Sequence, residues 1–129
     1  MNKTEKIYWE DFVKPDMGPL SYSRATLAAA ANTDYAERLV LGTISATGKK
    51  VPYNPTANNG SEIADSVLKT HVLAQSAAGD VAVEVLDALA LIDIDFLVWG
   101  ANVTTDAQKA TAIASLRSNI IKKAEVYNA

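Results

Sequence analysis

The sequence contains no cysteine and a single histidine, His71, and both shortages restrict the chemistry available to the chain. Without cysteine there is no disulfide framework, no thiolate zinc site and no cysteine nucleophile, a composition that fits a reducing compartment. One histidine cannot build a multi-histidine metal site, and we interpret His71 as an ordinary polar residue near a strand end. The sequence therefore predicts a protein that is not an enzyme and has no catalytic residue, metal or cofactor.

Long uncharged apolar runs and an excess of basic residues are also missing. The longest apolar stretch, residues 81–99, carries four carboxylates that make insertion into a bilayer too costly: Glu84, Asp87, Asp93 and Asp95. The charged first fifteen residues lack the apolar core of an export signal. A net charge of −3 argues against binding to a phosphate backbone. Neither a membrane nor a nucleic acid is expected as a partner.

The chain does have enough apolar material for one core. It has 129 residues, of which 49% are hydrophobic, and this size and composition are typical of one domain. Residues 40–68 alternate β-favouring residues with turn-formers. Gly48 can adopt the positive φ of a tight turn between a strand ending near Ser45 and a strand over residues 49–53. Pro55 and Asn58-Asn59-Gly60 then mark a loop before a strand over residues 63–68.

The apolar pattern changes phase after residue 85. Val81, Val83 and Val85 share one face of a strand, whereas the apolar residues that follow have the opposite parity: Leu86, Ala88, Ala90, Ile92, Ile94 and Phe96. Since a slip of one residue moves every side chain across the sheet, we expect either a bulge near residues 85–86 or a break between two strands.

A helix is predicted over residues 105–118. Thr105-Asp106-Ala107-Gln108 matches a capping box, with Thr105 as the N-cap and Gln108 placed to bond back to its backbone N–H. Apolar residues follow at helical spacing, and Asn119 can adopt the left-handed conformation that ends a helix.

Residues 1–20 show no sustained period and are interpreted as an extended, flexible N-terminal arm, followed by a single β-rich domain over residues 21–129. Pro15 and Pro19 make a continuous helix improbable there. Three aromatic residues lie between charges in the arm and are candidates for contact with a partner: Tyr8, Trp9 and Phe12. A strand that packs on the chain's own domain is the alternative interpretation of this segment.

Three short patterns carry weak signals of chemistry. Asp93 and Asp95 would point to the same side of a strand and are candidates for acid–base work, although a solvated outer face explains them more simply. Lys49-Lys50 after Gly48 lacks the preceding glycine and following helix of a phosphate loop. Asn102-Val103-Thr104 satisfies the glycosylation triplet, but it is interpreted as the turn before the capped helix.

The serial order of several elements resembles the head decoration proteins of lambdoid tailed phages. The resemblance covers about residues 21–121 and is carried by Leu41-Gly42, Ala46-Thr47-Gly48, Pro52-Tyr53, Asn59-Gly60-Ser61, Ala64, Leu97-Val98-Trp99-Gly100 and the helix from Thr104 onward. The chain departs from the family pattern at Asn59-Gly60, where Asp-Gly is expected. It also departs at Asn32-Thr33-Asp34, which replaces a turn that contains glycine.

The resemblance implies a mainly β, barrel- or tulip-shaped fold with one short C-terminal helix and an extended N-terminal arm. It also decides the secondary structure expected for residues 24–41, where the alanines alone favour a short helix. The family instead implies strands over residues 22–27 and 39–45. It further implies a capsid-stabilising homotrimer on the exterior of the virion, assembled in the host cytoplasm, with the major capsid protein as partner. Trimer contacts are expected at Pro52, Tyr53 and Trp99, and capsid contacts at the aromatic residues of the arm.

Two other functions compete with this one. A small β-barrel could bind a peptide or small ligand in an apolar pocket formed by Tyr53 and Trp99 between strands. A hydrolase that uses Asp93 and Asp95 is the third possibility.

Overall fold

The computed structural model describes residues 13–16, 22–88, 90–92 and 94–119. Within these ranges the strands are β1 (Val13–Asp16), β2 (Tyr22–Ala29), β3 (Val40–Thr43), β4 (Lys50–Pro52), β5 (Ala64–Leu68), β6 (Gly79–Leu86) and β7 (Ala90–Ile92). A 3-10 turn at Ile94–Phe96 and the helix α1 (Asp106–Asn119) follow. The prediction of a mainly β barrel with one short C-terminal helix is confirmed.

Five strands close into a barrel in the order β2-β4-β3-β5-β6. Its pairs are antiparallel except for β2 with β4. Outside the barrel, β1 pairs antiparallel with β7 in a separate two-stranded sheet. Closure gives the barrel strands hydrogen-bonding partners and limits the number of exposed edges.

The β3–β4 hairpin forms as the sequence predicts. Gly48 has a φ of 73°, and its backbone N–H donates to the Ile44 carbonyl at 2.8 Å. A residue with a Cβ would be strained in this left-handed conformation, which explains the glycine. The predicted strands are confirmed with slightly shorter bounds.

The alanine-rich stretch near residue 28 is a strand, so the local preference for a short helix is wrong and the β assignment is confirmed. All eight residues of β2 pair with β6 in unbroken register, from Tyr22 opposite Leu86 to Ala29 opposite Gly79. Tertiary pairing therefore outweighs the helix propensity of alanine. Beyond β2, Asn32 occupies a left-handed turn at φ 56°, a conformation that asparagine tolerates better than most residues.

Side chains on the two faces of the strands fill two separate cores. The barrel interior contains Leu27, Leu41, Leu68, Val83 and Val85 together with residues of the adjoining loops. The second core lies on the outer face of the barrel beneath α1, and it is formed by Val40, Tyr53, Ala64, Val67, Leu86, Leu97, Ala112 and Leu116.

Burial on both faces explains the phase change in the sequence. Val85 faces the barrel interior, and its neighbour Leu86 faces the helix-side core, so both are fully buried. The expected bulge at residues 85–86 is absent because the register with β2 is continuous there. The alternative, a break between two strands, is confirmed by the interruption between β6 and β7.

Helix α1 begins at the predicted cap. The Gln108 N–H donates to Thr105 Oγ1 at 3.2 Å, and the Thr105 N–H donates to Gln108 Oε1 at 3.2 Å. These reciprocal bonds satisfy two of the donors that a helix start leaves unpaired. Residues 101–102 form a turn before the helix, in agreement with the interpretation of residues 102–104 as a turn rather than a glycosylation site.

We predict that Thr105→Ala lowers the free energy of unfolding by about 1 kcal/mol, because the first helical turn loses its side-chain acceptor. Thr111→Ala is the matched control, since the Thr111 hydroxyl bonds only to the Ala107 carbonyl one turn earlier. The control should be neutral or slightly stabilising because alanine favours helix. Urea unfolding of both variants tests this, and equal effects would contradict the role of the cap.

A second prediction compares two strand glycines. A Cβ on Gly42 would lie 2.8 Å from the Ser61 carbonyl oxygen and 2.9 Å from that of Ile63, whereas a Cβ on Gly79 would meet nothing within 4 Å. Gly42→Ala should destabilise the fold by about 1–3 kcal/mol through overpacking against backbone. Gly79→Ala should leave the melting temperature unchanged or raise it slightly. Equal melting temperatures for the two variants would refute the close approach at Gly42.

Candidate assembly surface

The three residues predicted to contact other copies of the chain lie in one region of the structure. Pro52 ends β4, and a Cβ on Gly100, the residue after Trp99, would lie 3.1 Å from Pro52 Cβ. The Trp99 side chain is partly buried and packs against the helix-side core, which contains Tyr53. Residues that are far apart in the sequence and that carry the family resemblance are thus close together in the fold.

Tyr53 differs from its two neighbours in exposure. Only 2% of the residue is exposed, so its ring belongs to the core of the single chain and offers little area to another one. Its hydroxyl donates a long hydrogen bond of 3.4 Å to the Gln108 carbonyl of α1. Pro52 and Trp99 are half-buried and leave part of their surface for contact. The assignment of these residues to a trimer contact stays a prediction.

Arg38 holds the segment that carries Trp99, and sequence reasoning missed it. Its Nη1 donates to the Phe96 carbonyl at 2.9 Å, and its own carbonyl accepts from the Val98 N–H at 3.0 Å. The Val40 N–H then donates to the Val98 carbonyl at 3.0 Å, which fixes residues 96–98 beside the start of β3. Arg38 has a φ of 75°, a conformation unusual for arginine, and no sequence pattern indicated it.

The predicted capsid contacts Tyr8, Trp9 and Phe12 lie outside the described residues. Of the predicted arm, residues 13–16 are described as β1, which pairs with β7 through Val13 opposite Ile92 and Asp16 opposite Ala90. These four residues therefore follow the alternative interpretation, in which the segment forms a strand with the chain's own domain. The roles of the three aromatic residues stay a prediction.

The candidate catalytic carboxylates do not share a strand. β7 ends at Ile92, and Asp95 lies in the 3-10 turn with an exposed side chain, so placing it with Asp93 on one strand face was wrong. After the 3-10 turn, residues 96–98 bond with Arg38 and Val40 beside the start of β3. Asp93 itself lies outside the described residues. Among the described residues, no three histidine or acidic side chains could hold a metal ion.

Both lysines after Gly48 are paired with carboxylates. Lys49 Nζ lies 2.9 Å from Asp80 Oδ2. Lys50 Nζ lies 3.0 Å from Asp65 Oδ1 and donates to Thr43 Oγ1 at 2.8 Å, in a network that spans β4, β3 and β5. Both ammonium groups are thus engaged by carboxylates, which agrees with the absence of a phosphate-loop pattern around Gly48.

An open groove of about 450 Å³ lies beside β6 and residues 70–72. It is lined by Arg24, Thr70, His71, Val72, Val81, Ala82, Val83 and Glu84. Neither Tyr53 nor Trp99 contributes to it, so the groove differs from the apolar pocket that a ligand-binding module was expected to have.

Within the described part of the chain, no helix is long and apolar enough to cross a membrane.

The fold and these contacts define a small β-barrel protein with a helix on its outer face and a half-buried aromatic surface beside β4. The family model of the bacteriophage lambda head decoration protein D matches residues 2–121. Because the match covers nearly the whole chain, the protein belongs to this family of phage head decoration proteins. A comparison with curated proteins gave no match. Membership implies association with a phage capsid, and this structural family is not a class of enzymes.

We predict that Trp99→Ala lowers the free energy of unfolding by about 1–3 kcal/mol, since a large, partly buried ring is removed from the helix-side core. Leu73→Ala is the matched control. Because Leu73 is 69% exposed, this variant should lose little free energy of unfolding. Thermal unfolding measures both. An unchanged melting temperature for Trp99→Ala would show that the ring does not support the core.

Burial raises the pKa of the Tyr53 hydroxyl above its ordinary value, because the charged phenolate loses hydration. The unfolded chain therefore releases this proton at lower pH than the folded chain, so stability should fall as pH rises above about 10. In Tyr53→Phe this part of the alkaline loss should vanish. Unfolding free energies measured on both sides of that pH test this prediction. Parallel losses in wild type and variant would contradict it.

Proposed function

We propose that the protein binds the outside of the expanded icosahedral head as a homotrimer and stabilises it against internal DNA pressure. The observation that carries the proposal is the family match from residue 2 to residue 121, which includes both the N-terminal segment and the domain. The virion exterior is then the site of action, with host cytoplasm as the place of assembly and the major capsid protein as the partner.

The proposed trimer contact lies at Pro52 and Trp99. A chain of this size has difficulty covering all of its apolar side chains alone, and half-buried ones beside each other are suited to contact between copies. The partly exposed Trp99 gives such a contact an aromatic side chain, a type enriched in interfaces. Tyr53 supports this surface from beneath through the helix-side core.

The proposed capsid contact lies in residues 1–20. Tyr8, Trp9 and Phe12 supply large apolar groups, and an extended segment can pair its backbone with a strand of the shell. Three arms on one trimer raise the effective concentration of each arm at its site, so that weak single contacts add to tight binding. The pair β1–β7 attaches the end of this segment to the domain.

Stabilisation follows from mass action and needs no chemical step. A ligand that binds only the expanded shell lowers the free energy of that shell relative to the disrupted or unexpanded one. Bound trimers thereby oppose rupture by the packaged DNA. The ion pairs at Lys49, Lys50 and Lys69 leave no described cluster of unpaired lysines for DNA itself.

The direct test combines solution mass with binding to heads. Light scattering should give three times the chain mass at micromolar concentration, and the protein should co-sediment with expanded heads but not with unexpanded ones. Decorated heads should also withstand higher temperature before they release DNA. A stable monomer that fails to co-sediment would refute the proposal.

The arm gives a sharper prediction. Deletion of residues 1–12 keeps β1, so the melting temperature and oligomer mass should stay those of wild type. Deletion of residues 1–20 removes β1 as well and should also leave the domain folded, since both described cores begin at Tyr22 or later. Either deletion should weaken binding to expanded heads by about 100-fold or more, because three linked contacts are lost together.

The matched control for these deletions replaces the charged residues Lys3, Glu5 and Lys6 by serine and keeps the aromatic ones. Its affinity should fall far less than that of either deletion. Wild-type affinity in both truncated proteins would show that binding uses the barrel domain alone. A truncated protein that cannot fold would show that the segment is part of the domain.

A further inference from the structure

The loop between β4 and β5 contains the dipeptide Asn59-Gly60. Glycine has no Cβ to hinder attack of its backbone nitrogen on the preceding carboxamide, so this dipeptide is inherently prone to deamidation. In that reaction Gly60 N bonds to Asn59 Cγ, the Cγ–Nδ2 bond breaks, and ammonia leaves with the amide proton of Gly60. Water then opens the resulting succinimide at either carbonyl and gives aspartate or isoaspartate.

Burial does not shield this carboxamide, because Asn59 is exposed. Hydrogen bonds hold it instead. Asn59 Oδ1 accepts from the Ser61 N–H at 3.0 Å and from Ser61 Oγ at 2.6 Å, and the Asn59 carbonyl accepts from the Ser45 N–H at 2.8 Å. The attacking group is also engaged, since the Gly60 N–H donates to Glu62 Oε1 at 2.8 Å.

The bond to Glu62 and the fixed position of the carboxamide both oppose the attack. Gly60 N must lose its proton to act as a nucleophile, and the negative charge that then develops would face the Glu62 carboxylate. Approach of Asn59 Cγ to this nitrogen would strain or break the bonds from Ser61. Ser61 is only 2% exposed, which limits its freedom to follow.

The backbone around the dipeptide has little room to adjust. Gly60 has a φ of 107°, and a Cβ there would overlap the Thr43 carbonyl oxygen and Ser45 Oγ. The glycine thus packs directly against the end of β3. Rearrangement into the cyclic imide therefore requires this loop to separate from β3.

We propose that Asn59 is a deamidation site whose reaction the native loop suppresses. Ser61 holds the Asn59 carboxamide, and Glu62 holds the Gly60 N–H. Reaction then proceeds through local opening of residues 54–63, so its rate reports how often this loop leaves the barrel. The product adds a carboxylate beside Glu62. Its isoaspartate form also lengthens the backbone by one methylene next to the bond with Ser45.

The first test needs no variant. Native protein and protein unfolded in concentrated urea are incubated at neutral pH, and the Asn59 peptide is followed by mass spectrometry, which resolves aspartate from isoaspartate by retention. Deamidation of Asn59 should be about tenfold or more slower in the native protein. Equal rates, or no deamidation in the unfolded chain, would overturn the proposal. Asn58 is an internal reference, because the residue after it has a side chain.

The second test removes the carboxylate. Glu62→Ala frees the Gly60 N–H and should speed native deamidation about tenfold, whereas Glu37→Ala, in a different loop, should leave the rate unchanged. Hydrogen exchange at the Gly60 amide of wild type should show protection that Glu62→Ala loses. A Glu62→Ala protein that remains folded and deamidates no faster than wild type would refute the protective role. A slower reaction would mean that Glu62 acts as a base.

Discussion

One lateral row of side chains joins the barrel to the helix. Tyr22 of β2 lies opposite Leu86 of β6, Leu86 opposite Val67 of β5, and Val67 opposite Val40 of β3. All four point to the helix-side core, while the residues next to them in β3, β5 and β6 point into the barrel. At this row β3, β5 and β6 are therefore buried on both faces, and neither core can lose its packing there without exposing the back of the other.

The same packing supports the proposed assembly surface from beneath. Tyr53 and Trp99 pack onto the helix-side core, and Arg38 fixes the backbone of residues 96–98 beside β3. The half-buried side chains of Pro52 and Trp99 are thus supported from beneath by packed residues. A surface held in this way loses little conformational entropy when another chain covers it, which suits the proposed clamp.

Local signals in the sequence were sufficient where the physics is local. The turn at Gly48 depends on its own φ, and the capping box depends on residues three positions apart, so both are found where the sequence predicts them. The alanines of β2 misled local reasoning because pairing with β6 outweighs propensity. The parity change at Leu86 was visible, but its cause was a second core, which requires knowledge of where α1 packs.

The candidate site was less predictable for the same reason. Pro52 and Trp99 could be grouped through the family resemblance, although they are 47 positions apart in the sequence. Arg38 could not be found, because its role depends on a left-handed backbone and on carbonyls far along the chain. Asp95 was misplaced because it lies in a 3-10 turn, next to a segment that bonds with Arg38 and Val40, and neither contact is local in sequence.

Native-state hydrogen exchange tests most directly whether the two cores stabilise each other. Amides of β5 and of the middle of α1 should exchange with the same free energy and the same denaturant dependence, equal to those of global unfolding, because the doubly buried strands couple the two cores. Exchange in α1 at a clearly lower free energy, with β5 still protected, would show that the helix-side core opens alone and would contradict this coupling.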